Sequence, residues 1–261
     1  DQPRSRGLGD VYKRQFIFFV LIIQFSGGVY LAAASDMVGT TALMQEDILM
    51  AGYASLIGMA INFAVMFRIK FRFSNRTQLL AACIVLIAAN FICASTDSVP
   101  VLVITCFVAG WFRMQATFAC NSTIQLWLTP VRDMAIFFCY VYIVVDSVIQ
   151  LSGIATIYTA FFSQWEYMQW IMSGLLALMM ILVLILVKPV RTPMFIPLLG
   201  IDWIGAGLWA VFMTGFTFIC VYGNFYDWWD SVEIRVAALV TVITLGINLY
   251  LSLIHISEPT R

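Results

Sequence analysis

The chain has 261 residues, 62% of them hydrophobic and 11% charged, and its 14 basic and 14 acidic side chains cancel to a net charge of zero. So few charges cannot clothe a soluble globule, whose residues are about 25% charged, and the balance leaves no basic excess for a nucleic-acid partner. A mean hydropathy of +0.94 instead assigns the chain to the polytopic all-α membrane proteins, in which each lipid-exposed backbone satisfies its own polar groups within a helix.

Residues 1–15 are polar and without periodicity, and they stop at an apolar block. The stretches GLGDVYKRQ and LSLIHISEPTR near the two ends resemble translated sequencing adapters, so 1–15 and 251–261 are read as a non-native leader and tail. The only histidine, His255, falls in that tail. Crossing about 30 Å of hydrocarbon takes about 20 apolar residues. Runs of that kind predict eight transmembrane helices, at 16–35, 48–67, 79–96, 101–127, 134–160, 168–187, 203–222 and 233–252. The six cysteines (Cys83, Cys93, Cys106, Cys120, Cys139 and Cys220) lie inside these runs without a CxxC pair. They read as small hydrophobes rather than disulfide or metal ligands.

The loops carry the orientation. Arg68, Lys70, Arg72 and Arg76 follow span two, Arg132 follows span four, and Lys188 and Arg191 follow span six. The alternate loops carry Asp36, Glu46, Asp47, Asp97, Glu166, Asp227, Asp230 and Glu233, with Arg235 their only base. Because basic loops collect in the cytoplasm, both ends of the chain are expected there. Trp165, Trp170, Trp228 and Trp229 lie beside the acidic boundary, where tryptophan anchors spans at the interface.

Two charges fall inside spans, Arg113 in span four and Asp146 in span five. Insertion costs about 2.5–3.5 kcal/mol for such a residue at mid-bilayer, which makes both functional candidates. Residues three or four apart share a helical face. Cys139, Tyr142, Asp146, Gln150 and Gly153 thus form one small or polar stripe, and Arg113, Thr117 and Asn121 another. Two stripes facing a common space leave two readings. Either Arg113 and Asp146 neutralise each other and hold two helices together, or they line a solute or proton path, with Thr117, Asn121, Tyr142 and Gln150 as its walls. Gln24, Asn62 and Asn90 read as hydrogen-bonding partners between helices. Ser26, Gly27 and Gly28 in span one, and Ala109 and Gly110 in span four, mark close helix contacts or helix breaks.

Several short patterns then point to a family. Ile201-Asp202-Trp203-Ile204-Gly205 opens span seven, and Gly223-Asn224 with Asp227-Trp228-Trp229-Asp230-Ser231 precedes span eight. These resemble the D-W-x-G and G-Q-x-x-D-W-x-x-S elements of the major facilitator superfamily, in its 14-helix branch of EmrB- and QacA-type multidrug:proton antiporters. Tyr53, the Arg72-Phe73-Ser74-Asn75-Arg76 loop and Pro130 to Ala135 with Arg132 resemble that family's W-x-x-x-x-Y, D-R-x-G-R-R and P-x-x-R-x-x-A elements. Arg113-Met114-Gln115-Ala116 approximates R-x-x-Q-G with the glutamine shifted, Phe71 stands in place of the loop aspartate, and Gln150-Leu151-Ser152-Gly153 replaces G-P-x-x-G-G.

The resemblance implies an N-terminal six-helix bundle over 16–187, a central helix pair over 188–250, and a C-terminal bundle that this chain lacks. It further implies proton-coupled efflux of a small amphipathic solute by alternating access across a bacterial inner membrane, with Arg72, Arg76 and Arg132 in the cytoplasmic motif-like loops. The partners are then the bilayer, the solute, protons and the missing bundle. No cofactor or metal is expected. An intramembrane enzyme finds no HExxH, no GxSxG and no histidine outside the tail. A non-transporting membrane scaffold or assembly subunit is the alternative.

Overall fold

The computed structural model describes residues 15–26, 32, 34–39, 41–128, 134–188 and 201–257, and among these there is no strand. Helix α1 spans Gln15–Phe25, α2 Ala34–Val38, α3 Gln45–Arg72, α4 Asn75–Ser95 and α5 Val99–Leu128. Helix α6 covers Met134–Phe162, with a π-helical segment at Val141–Asp146. Then come α7 Glu166–Leu186, α8 Trp203–Tyr222, a 3₁₀ turn at Trp228–Asp230 and α9 Val232–Ser257.

Seven of these helices are long and apolar enough to cross a membrane, and they fall on predicted spans two to eight. Of predicted span one the structure describes the apolar helix α1, with Gln15 already inside it, and the turn at Ser26, whose Oγ donates to Ile23 O at 2.6 Å. Gly27 and Gly28 lie outside the described residues.

The helix ends are explained by their side chains. Asp47 accepts from the Met44 amide at 3.0 Å at the start of α3, Ser74 Oγ from the Thr77 amide at 3.2 Å on α4, and Asp202 Oδ1 from the Gly205 amide at 2.8 Å on α8. Each carboxylate or hydroxyl satisfies a donor that the first helical turn leaves open. Helix α3 also has Glu46 and Asp47 in its first turn and Lys70 and Arg72 in its last, the arrangement its dipole favours.

Packing fixes the direction of the helices. A Cβ on Gly110 would lie 1.9 Å from Ser55 O, and one on Gly58 2.1 Å from Phe107 O, so α3 and α5 meet backbone to backbone. Further along, Arg113 meets Met59, Gln115 meets Met66 and Lys70 meets Ala119. These contacts advance together on both helices, so α3 and α5 run parallel, and α4 returns along α5 and packs on α7. That is the geometry spans two and four must have if every loop is short. Helix α5 is unbroken across Ala109 and Gly110, which makes these small residues a close contact and not a helix break.

One core joins α1, α4, α5 and α7 through Phe19, Ile23, Leu79, Cys83, Ala116 and Met179. A second, near the acidic ends, gathers Met37, Ile48, Ala51, Leu102, Cys106 and Trp165. Trp165 is thereby corrected from interface anchor to core residue, since it is 3% exposed, whereas Trp170, Trp228 and Trp229 are exposed. The α8–α9 hairpin closes where Gly215 abuts the Thr241 hydroxyl, and α8 also packs on α3. There the Tyr222 hydroxyl donates to the buried carboxylate of Asp47. The hairpin turn holds Asp227 and Trp228 at φ of 54° and 53°, a left-handed conformation that costs non-glycine residues about 1–2 kcal/mol each.

Candidate functional site

Arg113 sits 14 residues into α5, about 21 Å along the helix axis and close to its middle. Its side chain is 6% exposed. One guanidinium nitrogen, Nη2, lies 2.7 Å from Met59 Sδ of α3, and Nε has no partner. Among the described residues no carboxylate pairs with it.

The same level holds further polar groups. Thr117, one turn on, donates to Arg113 O at 2.8 Å and accepts from Gln24 Nε2 of α1 at 3.0 Å, which ties α1 to α5. Gln24 Oε1 has no donor, and neither amide atom of the fully buried Asn62 on α3 has a partner. Two turns further along α5, about 12 Å beyond Arg113, Asn121 is half-buried, with an unpartnered Oδ1. A buried polar group left unmade costs about 1–3 kcal/mol. Helices α1, α3 and α5 therefore concentrate unspent hydrogen-bonding capacity around one buried cation.

The second stripe lies elsewhere. Tyr142 is 71% exposed, and Asp146 and Gln150 are exposed as well. Asp146 forms no ion pair among the described residues, so the structure does not bring Asp146 to Arg113, although both lie near mid-helix. The face of α6 turned inward carries Val145, Ser152 and Thr156. Cys139, Tyr142, Asp146 and Gln150 are all exposed, so the stripe keeps to the outward side of α6 through the π-helical segment Val141–Asp146 and is turned away from α5.

A third polar group, which no sequence pattern announces, closes the basic end of the α3–α5 pair. Lys70 Nζ donates to Asn75 Oδ1 and, at 3.0 Å, to Ala119 O. Asn75 Nδ2 donates to Thr123 Oγ1 at 3.0 Å. Below them the buried Gln115 donates to Gln78 Oε1 at 2.7 Å, and Gln78 donates to Phe73 O at 2.6 Å. The α3–α4 turn is thus clamped to α5 by side chains from three elements. Arg72 and Arg76 flank the clamp, half-buried, while Arg132 lies outside the described residues. The signal available in sequence was Gln78 at the end of the basic loop and Gln115 near the middle of the apolar span four.

Polar links between membrane helices contribute about 0.6 kcal/mol on average and up to about 1.7. Combining Gln78→Leu with Gln115→Leu is therefore expected to give a coupling of about 1 kcal/mol in a double-mutant cycle, measured by unfolding in mixed detergent micelles. Effects that add to within about 0.3 kcal/mol would deny the link.

Among the described residues no three His, Cys, Asp or Glu side chains gather as metal ligands. The chain matches no protein-family model and no curated protein.

Proposed function

We propose that the chain is the N-terminal part of a proton-coupled transporter of the major facilitator type, which exports a small amphipathic solute by alternating access. The observation that carries this reading is the pairing of two incomplete polar sites at mid-helix depth: Arg113 buried beside Gln24 and Asn62 without a carboxylate, and the Asp146 face of α6 uncovered. A merely architectural charge would be neutralised by its neighbour, because an unpaired charge in lipid is costly. These two sites are instead completed from outside the described residues.

In this reading a second bundle covers the Tyr142, Asp146 and Gln150 face, and the solute enters between the bundles near the midplane. Asp146 carries the proton. Arg113, joined to α1 through Thr117 and Gln24, supplies a fixed positive charge beside the path, and Asn121 extends that polar face. The basic loops with Arg72, Arg76 and Arg132 lie on the cytoplasmic side of a bacterial inner membrane by the positive-inside rule.

The test is flux. Proteoliposomes holding the product of the complete gene are expected to move fluorescent amphipathic solutes when a pH gradient is imposed, and those holding this chain alone are expected to be inactive, since one bundle cannot alternate against another. A complete protein that inserts normally and moves no solute in such a panel would replace the transporter by a membrane scaffold.

A further inference from the structure

A cavity of about 650 Å³ opens between α3, α8 and α9 at the basic end of the bundle. It is separate from the Arg113 level and from the Asp146 face, and neither the solute path nor the proton carrier involves it. Its size is that of a small-molecule site.

The lining changes character along its length. At the terminal end stand Arg68 of α3, Asp202 at the start of α8 and Asn248 near the end of α9. Deeper in, the wall is Phe63, Trp209 and Met213. From Ala60 to Arg68 the cavity runs along α3 for eight residues, about 12 Å. Phe63 is 59% exposed on the side of a membrane-spanning helix, so the mouth opens laterally, toward acyl chains, as well as toward the bundle end.

The polar groups specify what is missing. Arg68 has no hydrogen-bond or ion-pair partner among the described residues. Asn248 is 6% exposed, and its Nδ2 has no acceptor. Asp202 spends Oδ1 on the Gly205 amide and turns its charge to the positive end of the α8 dipole, which leaves Oδ2 against the several N–H groups of Arg68 and the Asn248 amide. Donors therefore exceed acceptors, and the absent group is an acceptor-rich anion attached to an apolar body.

We infer that this cavity binds a phospholipid with an acidic headgroup from the surrounding leaflet, its phosphate held by Arg68 and its acyl chain laid along Phe63, Trp209 and Met213. A bilayer lipid is favoured over a free anion because the deeper wall is apolar and opens past the exposed Phe63 toward acyl chains, while Arg68 stands at the bundle end, where arginine attracts acidic headgroups. Lipid binding there does not depend on transport.

The experiment titrates dioctanoyl phosphatidylglycerol onto the full chain in a neutral detergent, with bound lipid counted by native mass spectrometry. The lipid is expected to bind at least tenfold more tightly than dioctanoyl phosphatidylcholine, a difference of about 1.4 kcal/mol. Arg68→Gln is expected to lose that tenfold, and Arg68→Lys to keep most of it. Ala206→Phe, which fills the cavity from α8, is expected to exclude the lipid while leaving the thermal melt of the helices in place. Three results would each overturn the assignment: equal binding of the two lipids, unchanged binding by folded Arg68→Gln, or displacement of the lipid by millimolar inorganic phosphate, which would mark a free-anion site.

Discussion

Gly110→Ala is expected to destabilise the folded chain by about 3 kcal/mol, the upper part of the range for overpacking a well-packed interior, although alanine is the better helix former. The added methyl would sit 1.9 Å from the carbonyl oxygen of Ser55 and 2.7 Å from its carbon. Both are backbone atoms, so no rotamer change relieves the clash, and α3 must move away from α5. That movement would also loosen the contacts of Met59 with Arg113 and of Lys70 with Ala119, which lie along the same seam.

Gly174 of α7 and Gly207 of α8 provide internal controls, since a Cβ on either meets no atom within 4 Å. There the same substitution is expected to be neutral or to stabilise by up to about 1 kcal/mol through helix propensity. Unfolding by dodecyl sulfate in mixed micelles, monitored by far-UV circular dichroism, measures all three. If Gly110→Ala proves as stable as Gly174→Ala, the backbone seam between α3 and α5 does not exist.

Asp146→Asn in the complete protein is expected to reduce solute movement driven by a pH gradient to the level of empty vesicles, because the amide keeps the shape of the side chain and removes its proton. Solute binding should survive, so a fluorescence titration of bound solute separates lost coupling from lost folding. Arg113→Lys keeps the charge but not the planar donor fork, and it is expected to retain insertion and lose most of the flux. Full proton-dependent transport by Asp146→Asn would remove that residue from the coupling mechanism. Wild-type flux by Arg113→Ala at normal membrane levels would reduce the buried cation to a structural detail.

How far the sequence reveals the structure depends on the range of the forces involved. Spans two to eight are long apolar runs between polar loops, and hydropathy at that scale is decided by the solvent, so α3 to α9 stand where periodicity and composition put them. The parallel course of α3 and α5 was also implicit in the alternation of basic and acidic loops. The Ala109-Gly110 pair announced a close contact or a break, but Gly58, which meets Phe107 on the same seam, did not, since one glycine in a long apolar helix has many explanations.

The site was less legible. Arg113 and Asp146 were visible as charges in apolar runs, but their separation was not, because which face of α6 turns inward is decided by its packing of Val145, Ser152 and Thr156 and not by the spacing of its polar residues. Trp165 reads as an interface anchor in sequence because its neighbours in space, Met37, Ile48 and Leu102, are distant along the chain. The Lys70, Gln78 and Gln115 clamp escaped for the same reason, as its members are distant along the chain, with Lys70 and Gln78 beside the basic loop and Gln115 in the middle of a span.

The hydrogen bond between Tyr222 and Asp47 has a mechanical consequence. It fastens the far end of α8 to the beginning of α3, while at the opposite end the two helices part around the cavity lined by Arg68 and Asp202. A helix of 20 residues is a lever of about 30 Å. Pinned at Tyr222, it converts a tilt of about 5° into a displacement of about 3 Å at Asp202. The pin and the cavity thus stand at opposite ends of one lever, so a small tilt of α8 about Tyr222 would change the width of the cavity more than the packing beside Asp47.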